Sequence, residues 1–374
     1  MSYEFFMPTK VVFGKDCVMQ HKDLLPSFGK KALIVTGEHS AKSNGSQSDV
    51  INALTANGME YVIFDKVMSN PTIPCAYEGA ALAKETGADF VIAIGGGSPM
   101  DAGKAIALLA AQEIAPKNLF SGSYENKVLP MVFVPTTAGT GSEVTQYSVL
   151  TNDAAKTKTS IASPLLFPKL AFVDAKYLEN LSVKSTVNTA VDALSHLVEG
   201  MLCLKASSVS DSLAEQGIGL FMACLPELLN ALKTGKKESV SAEGRERLMQ
   251  ASLLGGMVIA QTGTTIVHSM GYPLTYYHEV DHGRANGLLL GAYLEFVESK
   301  NPQAAAKVLR AVGYPESHVF REMLALLMGE PGQITGDEVV GFSKTSFAAK
   351  NLGNCVARPT EEEIQQLYRT SFNL

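Results

Sequence analysis

Residues 89–101 read DFVIAIGGGSPMD, which joins a short apolar run to a glycine-rich turn. An unbroken apolar run of this length predicts a strand of a parallel sheet that helices cover on both faces. Pro99 stands near the first position of the following helix, where its missing N–H costs nothing. The backbone N–H groups of Gly96, Gly97 and Ser98 would then bind a phosphate at the positive end of the helix dipole.

The same alternation of strands and helices continues on both sides of this stretch. The predicted strands cover residues 9–13, 31–36, 61–64, 89–94 and 129–134, and the predicted helices cover residues 49–56, 76–86 and 102–111. This order predicts an α/β domain with an open, largely parallel sheet and helices on both faces. Ligands of such sheets bind at the carboxyl ends of the strands.

A second donor-rich turn follows the predicted strand at residues 129–134. It reads PTTAGTGSE and places hydroxyl groups at Thr136, Thr137, Thr140 and Ser142 beside glycines. The GGGS turn alone would be equally compatible with a purely structural role. Two such turns on one sheet edge predict a site for a pyrophosphate.

Two charged residues near these turns are further candidates. Asp101 lies in the first turn of the predicted helix, where it would suit the helix dipole and cap the helix. Lys158 lies in a predicted hairpin over residues 147–161, with Asn152 and Asp153 at the hairpin turn. Lys158 could reach back towards a cofactor, but a solvated hairpin lysine is the simpler interpretation of the pattern alone.

Composition argues against several classes of protein. The chain has 31 Lys and Arg and 37 Asp and Glu, and its basic residues form no block. Neither nucleic acid nor an acidic membrane is therefore an expected partner. The five cysteines are widely spaced without a C-x-x-C, which argues against a disulfide framework or a thiolate zinc site. The N-terminus lacks a signal pattern, and the longest uncharged stretch, residues 251–277, is interrupted by glycines and Pro273. The sequence therefore predicts a soluble, cytoplasmic protein.

From about residue 180 onward, long helical patterns replace the strands, which predicts two domains with bounds 1–180 and 181–374. Ser185 is a suitable N-cap for the first of these helices. One narrow sector of that helix carries short polar side chains, while most of its other positions are apolar. The polar residues are Asn188, Asp192, Ser195, His196 and Glu199. Such a stripe faces either water or a buried site, and the absence of Lys and Arg from it favours the buried site.

Four side chains of the helical half form a plausible metal-binding set. Asp192 and His196 are four residues apart, so they share one face of the helix. His268 lies in TTIVHSMGYP, where a core histidine without a metal is the alternative, and His282 lies in EVDHGRANG. One carboxylate and three imidazoles suit Fe(II), Zn(II) and neighbouring ions. His278 stands four residues before His282 and competes with it on spacing alone.

Together these motifs resemble the iron-containing (group III) alcohol dehydrogenases. GGGSPMDAGKA, PTTAGTGSEVT, the DALSH run and the HG-x-AN-x-LLL run are similar to signatures of that family and occur in its order across nearly the whole chain. The resemblance implies an N-terminal dinucleotide-binding domain of modified Rossmann type and an all-helical C-terminal metal-binding domain, with the active site in the cleft between them. It also implies a homodimer.

Motif by motif, the resemblance implies particular ligands. The metal ligands would be Asp192, His196, His268 and His282, because the last ligand of the family precedes the glycine of its final motif. No catalytic residue beyond the metal centre is assigned. The cofactor contacts would come from Gly37, Asn70, Gly97, Ser98, Thr136, Thr137 and Lys158, and Ser40, Gly96 and Asp101 complete the predicted set.

The chain departs from the family pattern in places. Tyr272 stands where several relatives carry a histidine near the nicotinamide, so a proton relay at that position is not implied, and Gly291 replaces a common proline. Gly37 stands where NAD-specific relatives carry Asp, whose carboxylate repels a 2′-phosphate. Without that repulsion, Ser40 or Lys42 could contact the phosphate, which predicts acceptance of NADP(H).

The predicted activity is reversible hydride transfer between an alcohol and NAD(P), with the metal as a Lewis acid. The uncharged residues 251–277 favour a small neutral alcohol or aldehyde. The ligand types do not separate Fe(II) from Zn(II). The alternative is a metal- and NAD-dependent lyase similar to dehydroquinate synthase. That family would require more basic residues for a phosphorylated, carboxylated substrate than the surroundings of His268 offer.

Overall fold

The computed structural model describes residues 3–374, which form two compact units. One unit spans Met7–Leu181, and the other comprises Ser182–Leu374 together with residues 3–6. The short N-terminal segment belongs to the second unit because the Phe6 N–H donates to Gln261 Oε1 at 2.9 Å, and Gln261 Nε2 donates to the Phe6 carbonyl at 2.9 Å.

The first unit is an α/β domain. Its strands are β1 Lys10–Phe13, β2 Lys31–Thr36, β3 Glu60–Phe64, β4 Phe90–Gly95, β5 Met131–Pro135, β6 Tyr147–Asn152, β7 Thr157–Ala162 and β8 Leu170–Val173. Its helices are α1 Cys17–Gln20, α2 Ser40–Ser43, α3 Ser46–Ala56, α4 Ile73–Thr86 and α5 Gly97–Ala111. Six strands form one sheet in the order β1-β8-β5-β4-β2-β3, and every pairing within it is parallel. The predicted fold class is confirmed.

Strand alternation explains why helices cover both faces of this sheet. Ile34 and Ile92 belong to one core cluster, which also contains Leu54 of α3. Their neighbours along the strands, Leu33 and Val91, belong to the opposite cluster, which also contains residues of α4 and α5. Successive side chains of a strand point to opposite faces, so two apolar faces produce the unbroken apolar runs of β2 and β4.

The strand β8 was not predicted. It pairs with both β1 and β5, so it lies inside the sheet although it is only four residues long. A run as short as LAFV is not distinguishable by pattern from an apolar loop. The predicted hairpin is confirmed as an antiparallel pair of β6 and β7, separate from the main sheet.

The second unit is helical. Its helices are α6 Val183–Met201, α7 Ser208–Thr234, α8 Ala242–Thr262, α9 Ile266–His278, α10 His282–Lys300, α11 Pro302–Val312, α12 Ser317–Met328, α13 Gly336–Phe347 and α14 Glu361–Phe372. The prediction of Ser185 as the N-cap of α6 was wrong: Ser182 is the N-cap, and its Oγ accepts the N–H of Ser185 at 3.0 Å. The helix begins three residues earlier than expected, because Ser182 and Ser185 are both suitable N-caps and the sequence pattern does not distinguish them. Among the described helices, none combines the length and apolar content needed to cross a membrane.

Helix α6 is the centre of this unit and packs against α7, α8 and α10. Small residues allow the close approach. A Cβ at Gly217 of α7 would lie 2.6 Å from Leu197, and a Cβ at Gly200 of α6 would lie 2.1 Å from Val258. These contacts leave no room for larger side chains, and with helices on several sides α6 is buried along nearly its whole length.

Candidate metal centre and strand-end turns

The polar stripe of α6 is buried. Asp192 is 3 % exposed, His196 is 4 % exposed and Glu199 is fully buried at 0 %. Spacings of four and three residues place these side chains on one helix face. Burying ionisable groups is unfavourable unless hydrogen bonds or opposite charges compensate it. The helices around α6 therefore have to supply those partners.

Helix α9 supplies His268, which is buried beside Asp192 and His196. The ligand atoms of these three residues all lie within 4.8 Å of one another. His268 Nε2 is 2.9 Å from His196 Nε2 and 4.0 Å from Asp192 Oδ1. Donor atoms around one ion with bonds of about 2.1 Å stand roughly 3–3.5 Å apart. The cluster therefore has the donor chemistry, and nearly the spacing, to hold a single divalent metal ion.

His282, the first residue of α10, approaches the same point from the exposed side. Its side chain is 26 % exposed, and its Nε2 lies 3.9 Å from Asp192 Oδ1. Asn286, one turn further along α10, places Nδ2 at 3.0 Å from Asp192 Oδ1, 3.2 Å from His268 Nε2 and 3.3 Å from His282 Nε2. A carboxylate oxygen and two imidazole nitrogens therefore converge on one amide nitrogen.

Two glycines make this convergence possible. A Cβ at Gly271 would lie 2.5 Å from Asn286 Oδ1, and a Cβ at Gly283 would lie 2.0 Å from the backbone oxygen of Asn188. Neither contact is compatible with a side chain. The glycine that follows His282 in the sequence is thus a requirement for α10 to lie against α6.

The other two residues considered at the sequence level have different surroundings. His278 lies in the last turn of α9, and its Nε2 is 2.8 Å from Glu338 Oε1. Tyr272 is half-buried and stacks on His282 with ring centroids 5.6 Å apart. The structure therefore groups His282, and not His278, with Asp192.

The charges of the cluster suit a divalent cation. Burial alone would raise the pKa of both Asp192 and Glu199. The neighbouring histidines and hydrogen-bond donors together outweigh burial, led by His196 for Asp192 and by His268 for Glu199, and hold both pKa values below their ordinary range. Two buried anionic carboxylates next to imidazole nitrogens form a donor environment in which a divalent ion would balance the charge. From the sequence, Glu199 was recognised only as a member of the polar stripe. Its position three residues after His196 was the signal that could have linked it to the metal-binding set.

In the α/β unit, the carboxyl ends of β5, β4 and β2 are neighbours in the sheet, so the turns that follow them lie side by side. A Cβ at Gly96 would lie 2.9 Å from Thr137 Oγ1, and a Cβ at Gly97 would lie 2.7 Å from Thr140 Cγ2. The two strand-end turns, residues 95–98 and 136–142, are therefore in contact. The glycines are needed for that contact as well as for any approach of a phosphate.

Asn70 joins this edge from a third segment. It has a positive φ of 58°, and its N–H donates to Ser98 Oγ at 3.1 Å. Thr151 Oγ1 of β6 donates to the Asn70 carbonyl at 3.0 Å. Of the other predicted cofactor residues, Thr136 is buried at the end of β5, next to half-buried Thr137.

The remaining predicted contacts are distributed along the unit. Gly37 is half-buried directly after β2, Ser40 is exposed at the start of α2, and Lys158 is half-buried on β7. The expectation that Asp101 caps α5 was wrong, because α5 has no side-chain cap. The helix begins at Gly97, which makes Asp101 its fifth residue, and its carboxylate accepts from Ser142 Oγ at 2.9 Å and from the Val149 N–H at 3.2 Å.

Beneath the turns lies a buried lysine that the sequence interpretation missed. Lys104 of α5 is 0 % exposed, and its Nζ donates to Ser142 Oγ at 2.7 Å, Thr145 Oγ1 at 3.0 Å and the Tyr147 carbonyl at 2.8 Å. Desolvation lowers the pKa of Lys104 to about 8. Neighbouring Glu143 is 1 % exposed, and burial raises its pKa to about 7. Lys104 thus ties α5 to the second turn and to the hairpin.

Comparison with known proteins is consistent across the chain. Residues 8–175 match the family model of iron-containing alcohol dehydrogenase, and residues 186–327 match the C-terminal model of the Fe-containing alcohol dehydrogenase family. The sequence is 33 % identical to 1,3-propanediol dehydrogenase of Klebsiella pneumoniae, with 100 % of both chains covered.

Solved structures agree with the sequence relatives. An iron-containing alcohol dehydrogenase from Thermotoga maritima is 36 % identical, with a TM-score of 0.90 and 100 % of both chains covered. The sulfoacetaldehyde reductase of Bifidobacterium kashiwanohense, solved in complex with NAD+, is 28 % identical. Its TM-score is 0.86, and the match covers 100 % of this chain and 99 % of that one.

The buried carboxyl of Glu143 gives a pH prediction for the α/β unit. Its pKa is raised from 4.5 to about 7, so between these pH values the folded chain holds a proton that the unfolded chain has lost. The free energy of unfolding should therefore fall as pH rises through this window, by at most about 3 kcal/mol. Glu143→Gln, which mimics the protonated form, should remove that part of the fall.

Urea denaturation followed by circular dichroism at pH 5 and pH 7.5 measures this difference. Glu85→Gln, a change at an exposed position of α4, is the matched control and should follow the wild type. An equal loss of stability in wild type and Glu143→Gln would show that Glu143 is not the group responsible. The lowered pKa of Lys104 changes the free energy of unfolding mainly between pH 8 and 10.5, which is above both pH values compared.

Proposed function

We propose that this chain, which belongs to the iron-containing alcohol dehydrogenase family, transfers hydride reversibly between a small neutral alcohol and NAD(P) at a metal ion held by Asp192, His196, His268 and His282. It is an oxidoreductase of alcohols and aldehydes that depends on NAD(P) and a divalent metal. The observation that supports the residue assignment most strongly is the buried convergence of Asp192, His196 and His268.

Each residue of the donor set has a role that its surroundings support. When bound, the metal supplies Lewis-acid polarisation of an alcohol or carbonyl oxygen. Asp192 contributes the negative charge, and the imidazoles contribute neutral donors. His282 is the most exposed of the four, and Tyr272 stacks on it, so this side of the cluster is where an alcohol would enter. Fe(II) and Zn(II) both suit this donor set.

We assign the cofactor phosphates to the two strand-end turns. Gly96, Gly97 and Ser98 open α5, where backbone N–H groups and the helix dipole favour an anion. Thr136 and Thr137 directly follow β5, and Thr137 lies against Gly96. Gly37, Ser40, Asn70, Asp101 and Lys158 complete the proposed set, with Asp101 acting through its bonds to Ser142 and Val149 and not by capping α5.

The cofactor preference depends on the segment after β2. No carboxylate stands at Gly37, which supports acceptance of NADP(H). Lys42, a candidate partner of the 2′-phosphate, is held by Asp65, whose Oδ2 lies 2.8 Å from Lys42 Nζ. Asp65 follows β3, next to β2 in the sheet. We infer that Lys42 favours NADP(H) and that Asp65 limits this preference.

A small neutral substrate is the finer part of the proposal. Residues 251–277 carry no Asp, Glu, Lys or Arg, and they form most of α8 and α9 around His268. A relative named 1,3-propanediol dehydrogenase acts on a short neutral diol. The matching family model and relatives are dehydrogenases, so they do not favour the lyase alternative. A homodimer remains part of the proposal, supported by the family resemblance, and so does a cytoplasmic location.

A panel of short neutral alcohols and aldehydes tests the proposed activity. The protein is stripped of metal, reconstituted separately with Fe(II) and Zn(II), and assayed with NAD(H) and NADP(H) by nicotinamide absorbance. We expect steady turnover in both directions with at least one alcohol–aldehyde pair, only after metal is added. The absence of net nicotinamide oxidation or reduction with every member of the panel would contradict a dehydrogenase and leave the lyase.

The ion pair of Lys42 and Asp65 tests the cofactor assignment. Asp65→Asn should raise the ratio of kcat/KM for NADP(H) over NAD(H) by about two- to five-fold, because it releases Lys42 from an exposed ion pair. Lys42→Ala should lower the same ratio. Glu78→Gln removes the neighbouring surface pair of Lys66 and serves as the control, with an unchanged ratio. A wild-type preference for NAD(H) of more than tenfold would refute NADP(H) acceptance.

A further inference from the structure

Glu199 is a fully buried carboxylate that the proposed hydride transfer does not use. It lies on α6, three residues after His196 and seven after Asp192, on the face that carries these two donors. A buried carboxylate persists only where hydrogen bonds or charges compensate the loss of water. Its partners therefore indicate what it does.

The two carboxylate oxygens of Glu199 have separate partners on the segment that begins α9. Oε1 accepts the Thr265 N–H at 2.9 Å and the Thr265 hydroxyl at 2.5 Å. Oε2 is hydrogen-bonded to His268 Nδ1. Thr265 is the N-cap residue of α9, but its own hydroxyl does not cap the helix. An anion from α6 thus compensates the N–H groups that have no partner within the helix, and the positive dipole, at this buried helix end.

The bond to Nδ1 determines which nitrogen of His268 is available to a metal. A neutral imidazole carries one N–H and one acceptor nitrogen, and a carboxylate accepts only from the N–H. With the proton on Nδ1, the lone pair of His268 is on Nε2. Nε2 is also the atom that faces His196 Nε2 at 2.9 Å and Asp192 Oδ1 at 4.0 Å.

We propose that Glu199 is a positioning residue that holds His268 in the Nδ1–H tautomer and orients its ring, so that Nε2 completes the metal donor set. The proposal rests on the donor set of the proposed function. It makes α6 responsible for three of the four ligands: two directly, and the third through Glu199. The competing explanation is that Glu199 only caps α9, and this can be distinguished because capping and orientation involve different oxygens.

Two variants separate these roles in metal-free protein loaded with Co(II), whose visible spectrum reports ligand geometry. Glu199→Gln keeps the shape but removes the charge next to His268, and it should weaken Co(II) binding by about 10- to 100-fold and change the visible spectrum. Thr265→Val removes only a partner of the other oxygen. It should lower the thermal unfolding midpoint while changing the Co(II) dissociation constant by no more than about threefold. Competition with a chelator measures the constants, and circular dichroism confirms folding.

Wild-type affinity and an unchanged spectrum in Glu199→Gln would overturn the proposal. Equal weakening of Co(II) binding in Thr265→Val would also overturn it, because capping alone would then explain the effect. His268→Ala identifies a different failure: if it binds Co(II) like the wild type, the donor set itself is wrong.

If Glu199→Gln does not fold, wild-type protein decides the question. In a histidine-¹⁵N-labelled, Zn(II)-loaded sample, the proposal predicts a slowly exchanging proton on Nδ1 of His268. A proton on Nε2, or an Nδ1 without a proton, would contradict it.

Discussion

The burial of two carboxylates on one face of α6 is the constraint from which the rest of the helical unit follows. Asp192 and Glu199 are removed from water, and their low pKa values mean that they keep their charges. Charges buried in this way need partners, and α9 and α10 supply imidazoles and an amide. Charges and their partners stabilise each other only at close range, so the helices have to pack closely. The glycines at these helix contacts allow that close packing because a side chain there would clash with the neighbouring helix.

The α/β unit meets an analogous requirement through backbone geometry. The strand order brings the ends of β2, β4 and β5 together, and glycines allow the two turns to touch. The buried charge of Lys104 holds the second turn and the hairpin through three donated hydrogen bonds. A rigid donor-rich edge at strand ends is what binding of a dinucleotide phosphate requires. Both units thus use a buried charged group of one helix to fix the segments around a site.

Patterns with a clear physical period were predicted well from the sequence. The runs of β2 and β4 were recognised because a strand buried on both faces is apolar at every position. The stripe of α6 was recognised because residues on one face of a helix recur every three to four positions. The four-residue β8 was missed because pairing on both sides, and not its own pattern, makes it a strand. Lys104 and Glu199 were missed as organising residues because their partners are 38 to 69 positions away in sequence. Asp101 was predicted as a cap because the helix was expected to start near Pro99, whereas it begins at Gly97.

Whether Asp192, His196, His268 and His282 bind one divalent ion is tested most directly by anomalous diffraction. Crystals of protein reconstituted with Zn(II) or Fe(II) would be measured on both sides of the absorption edge of the metal. The predicted result is one strong peak within about 2.0–2.3 Å of a carboxylate oxygen of Asp192 and of Nε2 of each of the three histidines. A peak coordinated by His278 in place of His282, or one that lacks His268, would contradict the assignment.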